Sequence, residues 1–252
     1  MKHVLVCLLL MTLFKVCLAE DKHYTSSEDL NAQINNYLKS QNLPLSNSGI
    51  QIVPAQTLFA SPAVKNKDFA MLYEQKKNGY VEEENPRAKE LLEFKHIASY
   101  QYKKFANALD PESTQLRHST EELKMEYAFR GVPKDLMSHF TGVAPFGAFH
   151  EGGWDGAVQF FENNETGSCA YTEHNLQLSH GGARLAKEAV TYEVNNKPTL
   201  LLVKGSKNAG FVYEVNWFDN LFAHTLECAN RTYDLTITKN VVQLANKIDN
   251  NT

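Results

Sequence analysis

Hydrophobic and polar positions alternate most regularly over residues 199–229. Phe211, Tyr213, Val215 and Trp217 fall on one side of a two-residue period, with Val212, Glu214 and Asn216 on the other. A period of two predicts a strand with one buried face. The turn-forming residues at 205–210 and 217–221 divide the stretch into three antiparallel strands. The same period predicts strands over 157–162, 168–172, 189–194, 199–204, 210–217, 221–229 and 232–238. Short linkers at 163–167 and 195–198 join neighbours as hairpins, which favours an antiparallel sheet. Asn240 then caps a last helix carrying Val241, Leu244, Ala245 and Ile248 on one face.

Before residue 142 the period is helical. Ser27 opens a helix with Leu30, Ile34 and Leu38, the proline-bearing segment 45–65 reads as an extended connector, and a helix over 67–77 ends at Asn78 and Gly79. The clearest helix starts at the Asn85 cap with Pro86 in its first turn. Its apolar stripe is Leu91, Phe94, Ala98, Tyr102, Phe105 and Leu109, closed by Asp110 and Pro111. Lys95, Lys103 and Lys104 lie off that stripe and His96 reads as a surface residue. Ser119 and Glu122 form a capping box for a helix through Arg130, and Pro133 starts a short helix ending near Gly142. The expected fold is therefore α+β, with an N-terminal helical part, then a mainly antiparallel β-sheet part with a C-terminal helix.

The chain's start changes the compartment. Lys2 and His3 precede an eleven-residue apolar run from Val4 to Phe14, followed by Lys15 and a tail ending at Ala19. This is the order of a secretory signal peptide, and no other segment approaches the ~20 apolar residues of a spanning helix. The expected divisions are a signal peptide over 1–19, a helical region over 20–142 and a disulfide-stapled antiparallel β region with its C-terminal helix over 143–252. The mature protein is expected to be secreted or periplasmic, with no stable membrane insertion once the signal is removed. Phe14, Lys15 and Val16 before Cys17 do not suit a lipoprotein.

Cleavage removes Cys7 and Cys17, leaving Cys169 and Cys228, which an oxidising compartment pairs as one disulfide. A nucleophilic Cys169 served by His174 or His180 is the competing arrangement, and export argues against it. The net charge of −4 becomes −6 without Lys2 and Lys15, and the basic residues are scattered, so no nucleic-acid partner is expected. The sequons at Asn164, Asn230 and Asn250 are about as many as so asparagine-rich a chain gives by chance.

Candidate chemistry concentrates in 140–156, a segment with five glycines and no evident helical or strand period, which reads as a loop at the junction of the two halves. His150, Glu151 and Asp155, with His174 and His180, are the candidate catalytic residues of a hydrolase. Phe146, Phe149 and Trp154 are the candidate binding aromatics, suited to a carbohydrate or a protein ligand; the other reading of the segment is a linker whose aromatics plug the interface between helices and sheet. His150 and Glu151 begin like a zinc-protease motif, but Trp154 stands where its second histidine belongs, so no metal ligand set and no cofactor are assigned. A metal site built in space from His139, His150, His174, His180 and Glu173 is the alternative arrangement, and Glu151 with Asp155 is the pair a glycosidase would need. G-x-S-x-G, S-x-x-K, the phosphate-binding loop and the dinucleotide fingerprint are all missing from the sequence. The first expectation is therefore a non-catalytic ligand- or partner-binding protein, with a secreted hydrolase using the cluster at 150–180 as the alternative.

Overall fold

A computed structural model of the chain describes residues 49–55, 62–105 and 110–251. The signal segment 1–19 and the helix expected after Ser27 lie outside them, as does Leu109. The described elements run β1 (Gly49–Val53), α1 (Pro62–Asn78), β2 (Val81–Glu82), α2 (Pro86–Phe105), β3 (His139–Phe149), β4 (Trp154–Asn163), β5 (Gly167–Asn175), β6 (Gly182–Ala186), β7 (Tyr192–Val194), β8 (Lys197–Ser206), β9 (Gly210–Phe218), β10 (Phe222–Asn230) and α3 (Leu235–Asp249). The fold is α+β: helices toward the N-terminus, a large mainly antiparallel sheet, and a C-terminal helix. Its order is β2-β8-β9-β10-β5-β4-β3, with β7 also on β8 and with β2 parallel to its neighbour. β1 and β6 form a separate parallel pair. Among the described residues no helix is long and apolar enough to cross a membrane.

The alternation in β9 determines the main core. Phe211, Tyr213, Val215 and Trp217 lie on the α3 side of the sheet, packed with Val241, Leu244, Ala245 and Ile248 of that helix. The opposite face is not simply solvated as a single buried face would predict. Ala170, Ala229 and Phe160 on that side meet Leu91 and Ala98 of α2, and Phe94 stacks on Phe160 at 3.8 Å. Asn85 accepts a hydrogen bond from the Arg87 amide at 3.0 Å, the cap expected before Pro86. Cys169 and Cys228 stand directly opposite each other in the β5–β10 register and are bonded.

Several expectations are corrected. Residues 119–130 hold a short 3-10 turn, Thr120–Glu122, and Ser119 makes no side-chain cap. The chain then runs extended beside β4, with the Glu126 amide donating to the Trp154 carbonyl and the Trp154 amide to the Lys124 carbonyl. Leu123, Met125, Tyr127 and Phe129 point inward while Lys124, Glu126, Ala128 and Arg130 are exposed, a two-residue period that prevails over the capping box. Pro133 opens only the turn Lys134–Leu136, because β3 begins at His139. Of the strand expected over 189–194, only Tyr192–Val194 forms.

The strand expected over 232–238 is instead the start of α3. Asp234 is its N-cap, accepting from the Thr236 amide at 2.6 Å, so Asn240 lies inside the helix rather than capping it. Segment 140–156 is not a loop. It is most of β3, a tight turn and the start of β4, and register shifts at Phe140/Gly142 and Phe146/Phe149 break the alternation that would reveal a strand.

The outer edge of β8 is closed in three pieces. β7 pairs with its start, β2 with its end, and between them the Gln75 side chain of α1 stands in for a strand. Its amide donates to the Leu201 carbonyl at 2.9 Å and accepts from the Val203 amide at 2.8 Å. An uncovered apolar edge is a template for association. Gln75→Ala is expected to destabilise the fold by about 1–3 kcal/mol, since it leaves two buried backbone groups unpaired, and to promote self-association. Thermal melts and sedimentation check this, and a variant as stable and monodisperse as the parent chain would contradict it.

Candidate functional site

The sheet end where β3 turns into β4 brings three of the five candidate catalytic residues together. The turn is closed by the His150 amide donating to the Gly153 carbonyl at 2.8 Å and the reverse bond at 3.1 Å. This places His150 beside Asp155, with Nε2 3.0 Å from Oδ2. The β4–β5 register sets Gly156 opposite His174, so the His174 Nε2 lies 3.5 Å from the other carboxylate oxygen. The Ala148 amide also donates to Oδ1 at 2.8 Å.

Asp155 is buried, while His174 is 16% and His150 34% exposed, so the cluster reaches solvent through its imidazoles. Burial alone would push the Asp155 carboxyl up, but His174, His150 and the Ala148 amide together hold it below its ordinary value. An ionised carboxylate only accepts hydrogen bonds, so the His150 Nε2 bonded to it carries the hydrogen. His174 Nε2, buried and 3.5 Å away, makes no well-formed bond to it but faces the same negative charge, which favours hydrogen on that nitrogen too. Gly147 makes room for this arrangement. It has φ +82°, and a Cβ there would collide with Asp155 Oδ1.

The other candidates are placed elsewhere. Glu151 is exposed at the turn and is tied in by its carbonyl, which accepts from Lys124 Nζ at 3.0 Å. His180 is exposed in the turn after β5, with φ 50°, and His139 is exposed at the start of β3. Among the described residues no three His, Cys, Asp or Glu side chains are arranged to hold a metal ion.

The aromatics do not form a common binding face. Trp154 is only 7% exposed, and its indole N–H donates to the Pro111 carbonyl at 3.0 Å. Phe149 packs edge-on against it, and Phe146 packs edge-on against the His174 ring at 5.3 Å. Phe146 therefore helps orient one imidazole, while Trp154 serves the core. Cys169 is buried in its disulfide, which excludes it as a nucleophile in this state.

A second polar cluster, on the α3 side of the sheet, was not evident from the sequence. The Tyr171 hydroxyl contacts His224 Nδ1 at 2.8 Å and donates to Glu173 at 3.0 Å. His224 Nε2 lies 3.5 Å from Asp219, which also meets Lys197 at 3.2 Å. Lys197 continues to Asp249 at 2.6 Å, and Asp249 accepts the Trp217 indole N–H at 2.8 Å. His224 and Tyr171 are almost wholly enclosed, so this cluster ties α3 and two turns to the sheet instead of offering a site. The signal for it was the presence of polar residues at inward positions of β5 and β10.

Comparison with protein-family models, curated proteins and solved structures finds no match to this chain.

The buried cluster has a definite pH consequence. Burial would raise the Asp219 carboxyl, yet His224 and the Leu221 and Phe222 amides hold it well below the usual carboxylate range. A depressed carboxyl stabilises the fold above its unfolded value of about 3.9, and that contribution is lost as pH falls through the folded value. Asp219→Asn is thus expected to melt below the parent chain at neutral pH, with the gap narrowing on acidification below about pH 4. Melts across that range check it, and a gap independent of pH would contradict it.

Proposed function

We propose that the chain is a non-catalytic ligand- or partner-binding protein of an oxidising, extracytoplasmic compartment, with its contact site at the turn between β3 and β4. The compartment reading is supported by the Cys169–Cys228 disulfide and by the signal-like order of residues 1–19. Secretion or delivery to a periplasm is the finer form of that reading.

The observation that carries the site is the convergence of His150 and His174, from different segments, on one buried carboxylate. Each imidazole faces Asp155 through Nε2, which leaves its Nδ1 as the atom directed at a ligand. Two such nitrogens anchored on one acid form a preoriented hydrogen-bonding pair, and preorientation lowers the entropy lost on binding. A protein or a carbohydrate presenting polar groups is the class of ligand this suits, and the acidic net charge speaks against nucleic acid.

One observation favours a second reading, a secreted hydrolase. The His150–Asp155 contact is the oriented-base half of a hydrolytic site. The binding reading is preferred because the described polar partner of each imidazole is the same Asp155, with no hydroxyl or thiol nucleophile paired to either ring.

The test uses the mature chain and its His150→Ala and His174→Ala variants on glycan and peptide arrays, beside a panel of chromogenic ester, peptide and glycoside substrates. The expected outcome is an array ligand retained by the parent chain and lost by both variants when each is assayed well below its own melting temperature, which loss of a partner to buried Asp155 lowers. Turnover that disappears in His150→Ala would establish the hydrolase reading instead. Ligands bound equally by all three proteins would remove the site from this end of the sheet.

A further inference from the structure

The far end of β4 carries a separate feature. From Asp155 to Asn163 the strand advances about 26 Å at ~3.3 Å per residue, so whatever happens there is independent of the His150–Asp155–His174 cluster. At that end a cleft of about 240 Å³ opens between the outer side of α3 and the β4–β5 turn.

Helical periodicity builds one wall. Val241, Leu244, Ala245 and Ile248 face the core, which turns Asn240, Gln243 and Lys247 outward at spacings of three and four, one above another. All three line the cleft. The facing wall is the β4–β5 turn, and the Asn163 side chain fixes its shape. Its oxygen accepts from the Glu165 and Thr166 amides and the Thr166 hydroxyl, while its nitrogen donates to the Leu136 carbonyl. That turn is therefore rigid, and it holds Asn164 at the opening. Leu136, Met137 and Leu244 supply an apolar floor.

The wall chemistry selects the ligand. Amides of asparagine and glutamine offer a donor and an acceptor on one group, as hydroxyls do. The nearby charges are mixed, Lys247 against Asp135 and Glu165, so the cleft has no strong preference for a cation or an anion. A concave site with an apolar floor and a few convergent polar groups is the general form of a small-ligand site, and this volume is below that of drug-sized pockets. We propose that this cleft binds a single pyranose-sized, uncharged polyhydroxylated ligand, a monosaccharide or the terminal residue of a glycan. The amides of Asn164, Asn240 and Gln243 would bridge its hydroxyls, and its C–H face would rest on Leu136 and Met137.

The test titrates glucose, galactose, mannose and N-acetylglucosamine into the mature chain by isothermal calorimetry and by amide NMR. At least one sugar is expected to bind saturably and to shift the amides of Asn164, Asn240 and Gln243. Asn240→Ala and Gln243→Ala should each weaken binding about tenfold, the worth of one neutral hydrogen bond, while the melting temperature stays unchanged because neither side chain is in the core. His150→Ala should leave this binding untouched, which separates the cleft from the site at the β3–β4 turn. No saturable binding of any of the four sugars would overturn the proposal. So would binding that survives both amide substitutions or that is lost in His150→Ala.

Discussion

A carboxylate can be buried only if other groups replace the water it loses, and this requirement shapes both ends of the sheet. Asp155, Glu173 and Asp249 have side chains no more than 4% exposed. Asp249 is met by Trp217, Lys197 and Asn195, which fastens the last turn of α3 to β9 and to the β7–β8 turn. Glu173 is met by Tyr171, with His224 at 3.9 Å, and burial still pushes its carboxyl up. On the other face Glu227 receives a two-pronged contact from Arg87, which fixes the start of α2 over β10. Asp249 and Glu227 thus each fix one helix on the sheet.

Asp155 obeys the same rule with a different outcome. Its partners are two imidazoles and one backbone amide, and one of those imidazoles is a third exposed. At Asp249 the cost of burial is offset by the wholly buried Trp217 indole together with the half-buried Lys197, which is held in turn by Asp219. At Asp155 it is offset by groups at the boundary with solvent, so the acid orients side chains that a ligand can reach. What separates the two clusters is that Lys197 is shared between two carboxylates, whereas His150 and His174 meet a single one. In the cleft on the outer side of α3, the half-buried Asn163 fixes the turn through its own hydrogen bonds, and Asn164, Asn240 and Gln243 line the opening.

The sequence revealed most where a single period runs unbroken. The β9 alternation and the α3 stripe are read from local pattern, and the α+β order follows from them; the pairing of Cys169 with Cys228 follows from their being the two cysteines outside the signal segment. It misled where two signals compete. Ser119 and Glu122 mark a helix start, but Leu123 to Arg130 alternate and run extended against β4. β-branched Thr236, Ile237 and Thr238 read as a strand, but the Asp234 cap starts a helix there. In β3 two register shifts hide the period, so a strand reads as a loop. For the candidate site, His150 and Asp155 are near in sequence and were found with ease. The choice of His174 over His180 depends on the β4–β5 register, which no local pattern contains.

The central claim is that one ionised, buried Asp155 organises both imidazoles. Nitrogen-15 NMR of the histidine rings tests it most directly, at a pH of about 8, above the ordinary imidazole range. The account predicts the tautomer with hydrogen on Nε2 at both His150 and His174, with His150 losing that preference in Asp155→Asn. Hydrogen on Nδ1 at either ring, or the rapid mixture of tautomers typical of a free surface histidine, would contradict it.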